Sequence, residues 1–128
     1  MKYISIDGDD IGRKITHYYL TNNESELKKF SKNLCKVTDE ISKYLLMINC
    51  NIIFSAADGI VASFNKNLDI NKLFEKIQEI ESFGITFSAG VGNNLQETYM
   101  ALLYSKSKGK NCITNFLDIK KNEELNYV

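Results

Sequence analysis

Ile4-Ser5-Ile6-Asp7-Gly8-Asp9-Asp10-Ile11-Gly12 runs a short apolar strand directly into three carboxylates set among glycines. A carboxylate at the end of a buried strand is fixed by the sheet behind it. The glycines that follow permit a tight turn whose N–H groups can face an anion. Mg²⁺ takes one or two carboxylates together with waters and substrate phosphates. The stretch therefore reads either as half of a metal–nucleotide site or as an ordinary Asp/Gly turn.

Working outward from it, Lys2 to Ile6 has the alternation and β-branched content of a strand, and Arg13 to Leu20 can form a short helix before Thr21-Asn22-Asn23. From Ser25 to Met47, Leu27, Phe30, Leu34, Val37, Ile41, Tyr44, Leu45 and Ile48 recur at three and four residues, the stripe of a long amphipathic helix. Asn51 to Ser55 and Ile60 to Phe64 are apolar runs joined through Ala56-Ala57-Asp58-Gly59, a hairpin signal. Asp69 can cap a helix reaching Ser82 with Leu73, Phe74, Ile77 and Ile80 inward. A strand is expected over Ile85 to Val91, a helix over Leu95 to Lys108 closed by Gly109, and a last strand over Cys112 to Leu117. The polar stretch Lys120 to Asn126 reads as a loose tail.

This order predicts an α+β fold of the ferredoxin-like kind, an antiparallel sheet with helices on one face, in one domain over residues 1–128. There the first strand lies beside the hairpin, so Asp7 and Asp58 can converge on one cation. With the Gly8 carbonyl they could hold two Mg²⁺ ions roughly 3.5–4 Å apart. Asp58-Gly59 can equally be a turn and nothing more.

The bulk properties set limits. At 128 residues, 44% hydrophobic and 25% charged, the chain has the make-up of an ordinary globular protein. Its formal net charge of zero argues against a broad electrostatic grip on long nucleic acid or an anionic membrane. Cys35, Cys50 and Cys112 lack metal-ligand spacing and read as small buried hydrophobes in a reducing cytoplasm. No apolar run is long enough to span a bilayer, and the single His17 reads as a surface residue.

Four segments resemble one family in the same order. Ala101-Leu102-Leu103-Tyr104-Ser105-Lys106-Ser107-Lys108-Gly109-Lys110-Asn111 resembles the Ala-Leu-Tyr-x-Ala-Lys-x-x-Gly-Arg-Asn helix end of GGDEF-type diguanylate cyclases. Phe83 to Gly92 resembles the strand before it. Phe54-Ser55-Ala56-Ala57-Asp58-Gly59-Ile60 stands where those enzymes carry their Gly-Gly-Asp/Glu-Glu-Phe hairpin, and Ile6-Asp7-Gly8-Asp9-Asp10-Ile11 matches the start of the palm. Among palm proteins the chain is most similar to the minimal CRISPR polymerase family, short palms related to that of the type III CRISPR large subunit.

The resemblance implies a nucleotidyltransferase that joins nucleoside triphosphates into a cyclic oligonucleotide signal for anti-phage defence, a cyclic dinucleotide from ATP above all. It implies Mg²⁺ (or Mn²⁺) held by Asp7, Asp58 and the Gly8 carbonyl. Of Asp9 and Asp10, one would assist the metal and the other cap the turn. The backbone of Asp10, Ile11, Gly12 and Arg13 would take the β- and γ-phosphates at a helix N-terminus. Lys106 and Lys110 would reach the triphosphate; as helix C-terminal charges they also complement the dipole. Since one palm holds one triphosphate, a homodimer and a downstream effector that senses the product are implied partners. Gly59 stands where the cyclases have a second acid, and Ile15 where they have a guanine-reading asparagine, which turns the expectation from GTP to ATP. A catalytically silent palm that senses a nucleotide is the alternative.

Overall fold

The computed structural model describes residues 1–65, 67–119 and 121. The elements run β1 (Lys2–Gly8), α1 (Ile11–Leu20), α2 (Glu24–Met47), β2 (Asn51–Ser55), β3 (Gly59–Phe64), α3 (Ile70–Glu79), β4 (Phe87–Gly92), α4 (Leu95–Ser107) and β5 (Ile113–Asn115). One sheet holds all five strands in the order β2-β3-β1-β4-β5. The first four strands have the ferredoxin-like order and pair antiparallel.

Three of the helices, α2, α3 and α4, start where short polar side chains accept their first free N–H groups. Asn23 accepts from Glu26, Asp69 from Asn71 and Lys72, and Asn94 from Glu97. The stripe of α2 buries Phe30, Leu34, Val37, Ile41 and Leu45, and α3 adds Leu73, Phe74 and Ile77. Together they cover Ile4 and Ile6 of β1, Ile60 and Ala62 of β3, and Ala89 and Val91 of β4, all nearly inaccessible. Alternation along β1 is what sorts these residues onto one face.

Two particulars differ from the sequence expectation. β5 runs parallel to β4, which makes the sheet mixed rather than antiparallel throughout. The helices do not share one face either. Ser5 pairs with Gly90 and Tyr3 with Gly92 on the face opposite Ile4 and Ile6, and α4 lies on that face. A β-carbon on Gly90 would stand 2.2 Å from the Leu102 nitrogen, and one on Gly92 2.7 Å from the Thr98 nitrogen. Only glycine lets a helix backbone approach a strand so closely. The side of α4 against the sheet is correspondingly small or polar, with Thr98, Ala101 and Ser105 buried there beside Leu102.

Smaller differences have local causes. β4 begins at Phe87 rather than Ile85, because Gly84 has a positive φ and the Ile85 N–H turns back to the Ser82 carbonyl at 2.9 Å. α3 stops at Glu79, where Ile80 becomes extended. β5 ends at Asn115 and residues 116–119 are helical. Cys35 is exposed on α2, whereas Cys50 is buried as expected and Cys112 is half-buried. The expected tail lies almost wholly outside the described residues. Among those residues no helix is long and apolar enough to cross a membrane.

Candidate active site

Asp7 stands in register with Gly59 on one side and Ser88 on the other, so its side chain lies on the α4 face of the sheet. The β2–β3 hairpin is fastened to the end of β1, for the Gly8 N–H donates to the Asp58 carbonyl at 2.8 Å. A second tie comes from α2, where the buried Thr38 hydroxyl donates to the Ala57 carbonyl at 2.8 Å. Asp58 is thereby set beside Asp7, and its charge raises the Asp7 pKa. Gly59 leaves room over the pair: a β-carbon there would lie 3.3 Å from Asp7 Oδ1.

Lys106, in the last turn of α4, reaches into the same place. Its Nζ donates to Asp9 Oδ1 and to the Gly8 carbonyl, each at 2.9 Å, and to the Asp7 carbonyl at 3.4 Å; Asp7 Oδ2 is 3.1 Å away. Burial works against the ammonium charge, but the Asp9 and Asp7 carboxylates outweigh it and hold the pKa above the usual lysine value. For Asp7 the balance is reversed. Burial pushes the carboxyl up, Lys106 draws it back, and the charges of Asp58 and Asp9 push it up again, so it stays above the ordinary value.

Asp9 is a buried anchor. Its Oδ1 accepts from Lys106 at 2.9 Å and from the Ser88 hydroxyl at 2.6 Å. Its Oδ2 accepts from the Thr86 hydroxyl at 2.7 Å and the Asn111 N–H at 3.0 Å. Burial alone would raise this carboxyl; the hydrogen bonds from Lys106, Ser88, Thr86 and Asn111 prevail and hold it below its ordinary value. With two donors on each oxygen, Asp9 has little left to offer a metal.

Asp10 precedes α1 with φ 60° and makes no side-chain cap. Its carboxylate pairs with Lys110 and, at 3.6 Å, with Arg13. Lys110 holds the Asp10 carboxyl below its usual value, with Arg13 adding to that. The first turn of α1, Ile11-Gly12-Arg13, stays uncapped, and the space over Gly12 is open. A helix N-terminus in that condition favours an anion. Lys110 itself is placed by three successive residues with positive φ, Gly109, Lys110 and Asn111, and by its own N–H to the Ser105 carbonyl at 3.0 Å.

The structure thus brings Asp7, Gly8, Asp9, Asp58 and Lys106 together, with Asp10 to Arg13 and Lys110 at the adjoining helix start. Ile15 packs against the core, and His17 is exposed. Sequence reasoning missed Thr86 and Ser88, whose period-two polarity at the start of β4 and just before it was the available signal, and it missed Thr38 inside the apolar stripe of α2. It also missed a groove of about 400 Å³ on the α4 face, walled by Phe54, Val61, Tyr99 and Leu103 and ending at Asp7 and Lys106.

The donor set suits a hard divalent cation, because Asp7 and Asp58 supply carboxylate oxygens beside a glycine that keeps the approach open. Among the described residues no group of three or more His, Cys, Asp or Glu side chains is arranged to hold a metal. A cation here would rest on the two carboxylates and complete its shell with water and phosphate.

Comparison with known proteins agrees with this architecture. The fold is similar to the GGDEF domain of DgcB from Caulobacter crescentus, solved with c-di-GMP, at 14% identity and TM-score 0.60 over 90% of this chain and 77% of that one. It is similar to the active GGEEF domain of a diguanylate cyclase from Vibrio cholerae at 15% identity and TM-score 0.59, over 90% and 81%. The guanylyl cyclase Cya2 follows at 10% identity and TM-score 0.52, over 80% and 68%. At such identities these are likenesses of fold. No curated protein matches the chain in sequence. Residues 3–116, however, match the minimal CRISPR polymerase domain, and the chain belongs to that family.

Proposed function

We propose that this chain is a nucleotidyltransferase that joins nucleoside triphosphates, ATP first among them, into a cyclic dinucleotide with release of pyrophosphate. Its setting would be the bacterial cytoplasm, its role a signal in anti-phage defence read by a separate effector. The observation that carries the reading is the meeting of Asp7, Asp58 and Lys106 at the end of β1, directly before the uncapped start of α1. Charged oxygens, a fixed ammonium and free helix N–H groups are the parts that in-line phosphoryl transfer needs.

A Mg²⁺ or Mn²⁺ ion between Asp7 and Asp58 would supply Lewis acidity at the α-phosphate. The chain's own residues supply position. Ile11 to Arg13 would take the outer phosphates, while Lys106, beside Asp7, would offset the charge that builds up as the bond to pyrophosphate breaks. A ribose hydroxyl attacks the α-phosphorus, a new phosphate ester forms, the α–β bridge breaks, and the hydroxyl proton leaves to solvent. Each palm does this once, so ring closure calls for two palms face to face. The exposed Phe54, Tyr99, Met100 and Leu103 beside the site offer apolar surface for such a pair.

Purified chain incubated with Mg²⁺ and each triphosphate in turn tests the reading, with pyrophosphate and product mass as the readouts. Release from ATP that Asp7→Ala abolishes supports it. No release from any triphosphate, with wild type and Asp7→Ala alike, sinks it. Gly59, in place of a second acid, favours one other reading, a silent palm that binds a nucleotide as a sensor; tight Mg²⁺-dependent binding without turnover would select it.

A further inference from the structure

We propose that this palm takes a single divalent cation, between Asp7 and Asp58, and that the Lys106 ammonium permanently fills the place of a second one. The inference rests on the nucleotidyltransferase reading for its purpose, but on the oxygens around Lys106 Nζ for its content. Asp9 Oδ1 and the Gly8 carbonyl at 2.9 Å, Asp7 Oδ2 at 3.1 Å and the Asp7 carbonyl at 3.4 Å are hard donors converging on one cationic centre. An ammonium has three N–H groups, and Asp9 Oδ1 and the Gly8 and Asp7 carbonyls accept from it here.

Lys106 is no wandering surface charge. Its side chain is 22% exposed, and it leaves a helix seated on the backbone of Gly90 and Gly92. Asp9, which faces it, is fully occupied by Lys106, Ser88, Thr86 and the Asn111 N–H. The ammonium contacts Oδ2 of Asp7 and leaves Oδ1 on the side of Gly59 and the hairpin. What remains for a metal is that one oxygen and the Asp58 carboxylate, enough for a Mg²⁺ that keeps water and phosphate in its shell.

Charge points the same way: the Lys106 ammonium already offsets part of the negative charge of Asp7 and Asp9 that would draw in a second dication. Asp10 and Lys110 neutralise each other nearby. A second dication would have to share the Gly8 and Asp7 oxygens with an ammonium held about 3 Å from them, and the like-charge repulsion at that range is severe.

Mn²⁺ binding followed by electron paramagnetic resonance tests this on the full chain, with Mn²⁺ alone and with adenosine 5′-(α,β-methylene)triphosphate. The expected count is one Mn²⁺ per wild-type chain saturated with the analogue. In Lys106→Met without nucleotide, the vacated oxygens should bind Mn²⁺ at least tenfold more tightly than wild type. Lys106→Arg, which keeps the charge, should stay at one. Two Mn²⁺ per wild-type chain, or none, overturns the proposal, and so does a folded Lys106→Met that gains no affinity. The wild-type count decides the matter even if Lys106→Met does not fold. Absence of pyrophosphate release would sink the enzymatic reading while leaving the Mn²⁺ affinities of the free chain to speak for themselves.

Discussion

The Lys106 ammonium donates to the buried Asp9 carboxylate at 2.9 Å, across 97 positions of sequence. That bond joins the turn after β1 to the last turn of α4, and it sets Asp9 apart from its neighbours Asp7 and Asp10. Asp9 is an acid whose charge the fold needs. Replacing it with Asn removes the charge and leaves a buried ammonium short of its partner, a change that typically costs about 3–5 kcal/mol. Because the folded pKa of Asp9 is depressed, its contribution is complete above the unfolded carboxyl value and is lost as pH falls through the folded value. Denaturant melts between pH 7 and pH 2 should show stability falling in the acid limb, with that fall reduced in Asp9→Asn.

Asp7 behaves in the opposite sense. Its folded pKa is raised by burial, so the ionised carboxylate opposes folding above its unfolded value. Asp7→Asn should therefore keep or slightly raise the thermal midpoint at neutral pH, while pyrophosphate release falls by at least a hundredfold. A large loss of stability instead would mean that the charge holds the fold rather than serving the site.

Gly90 is under the α4 backbone, and a methyl group there meets the Leu102 nitrogen at 2.2 Å. Overpacking of this kind costs about 1–3 kcal/mol or more when backbone must move. Gly90→Ala should lower the midpoint of unfolding and weaken nucleotide binding together, since Lys106 travels with α4. Gly12→Ala, in open space, should leave stability unchanged or slightly improved.

Phe54 and Tyr99 wall the groove that ends at Asp7, and both are more than half exposed. A nucleobase lying there would stack on one or both, an interaction worth about 1–3 kcal/mol per base. Phe54→Ala and Tyr99→Ala should each weaken binding of a nonhydrolysable triphosphate about fivefold or more without changing the circular dichroism. Unchanged binding in both would place the base elsewhere.

Much of this fold could be read directly, because hydrophobic period carries it: the α2 stripe, the Asp69 cap and the Asp-Gly hairpin all lie where local chemistry puts them. The side on which α4 packs could not. Its outward residues Leu95, Tyr99, Met100 and Leu103 are more apolar than the Thr98, Ala101 and Ser105 it buries, and nothing local marks Gly90 and Gly92 as a seat for a helix. The site divided in the same way. Asp7, Asp58 and Lys106 stood out by type and place, whereas the other hydrogen bonds that fill Asp9 come from Thr86, Ser88 and Asn111, residues whose meaning exists only once distant segments meet.

The seating of α4 on bare strand backbone has a wider consequence. Main chain against main chain fixes that helix, so its outward side chains have no part in holding it. They can change freely while Lys106 keeps its place. A family built this way can reshape what it recognises on that surface, whether base or partner, without disturbing the alignment of its charges, and a designer could vary those positions with the same freedom.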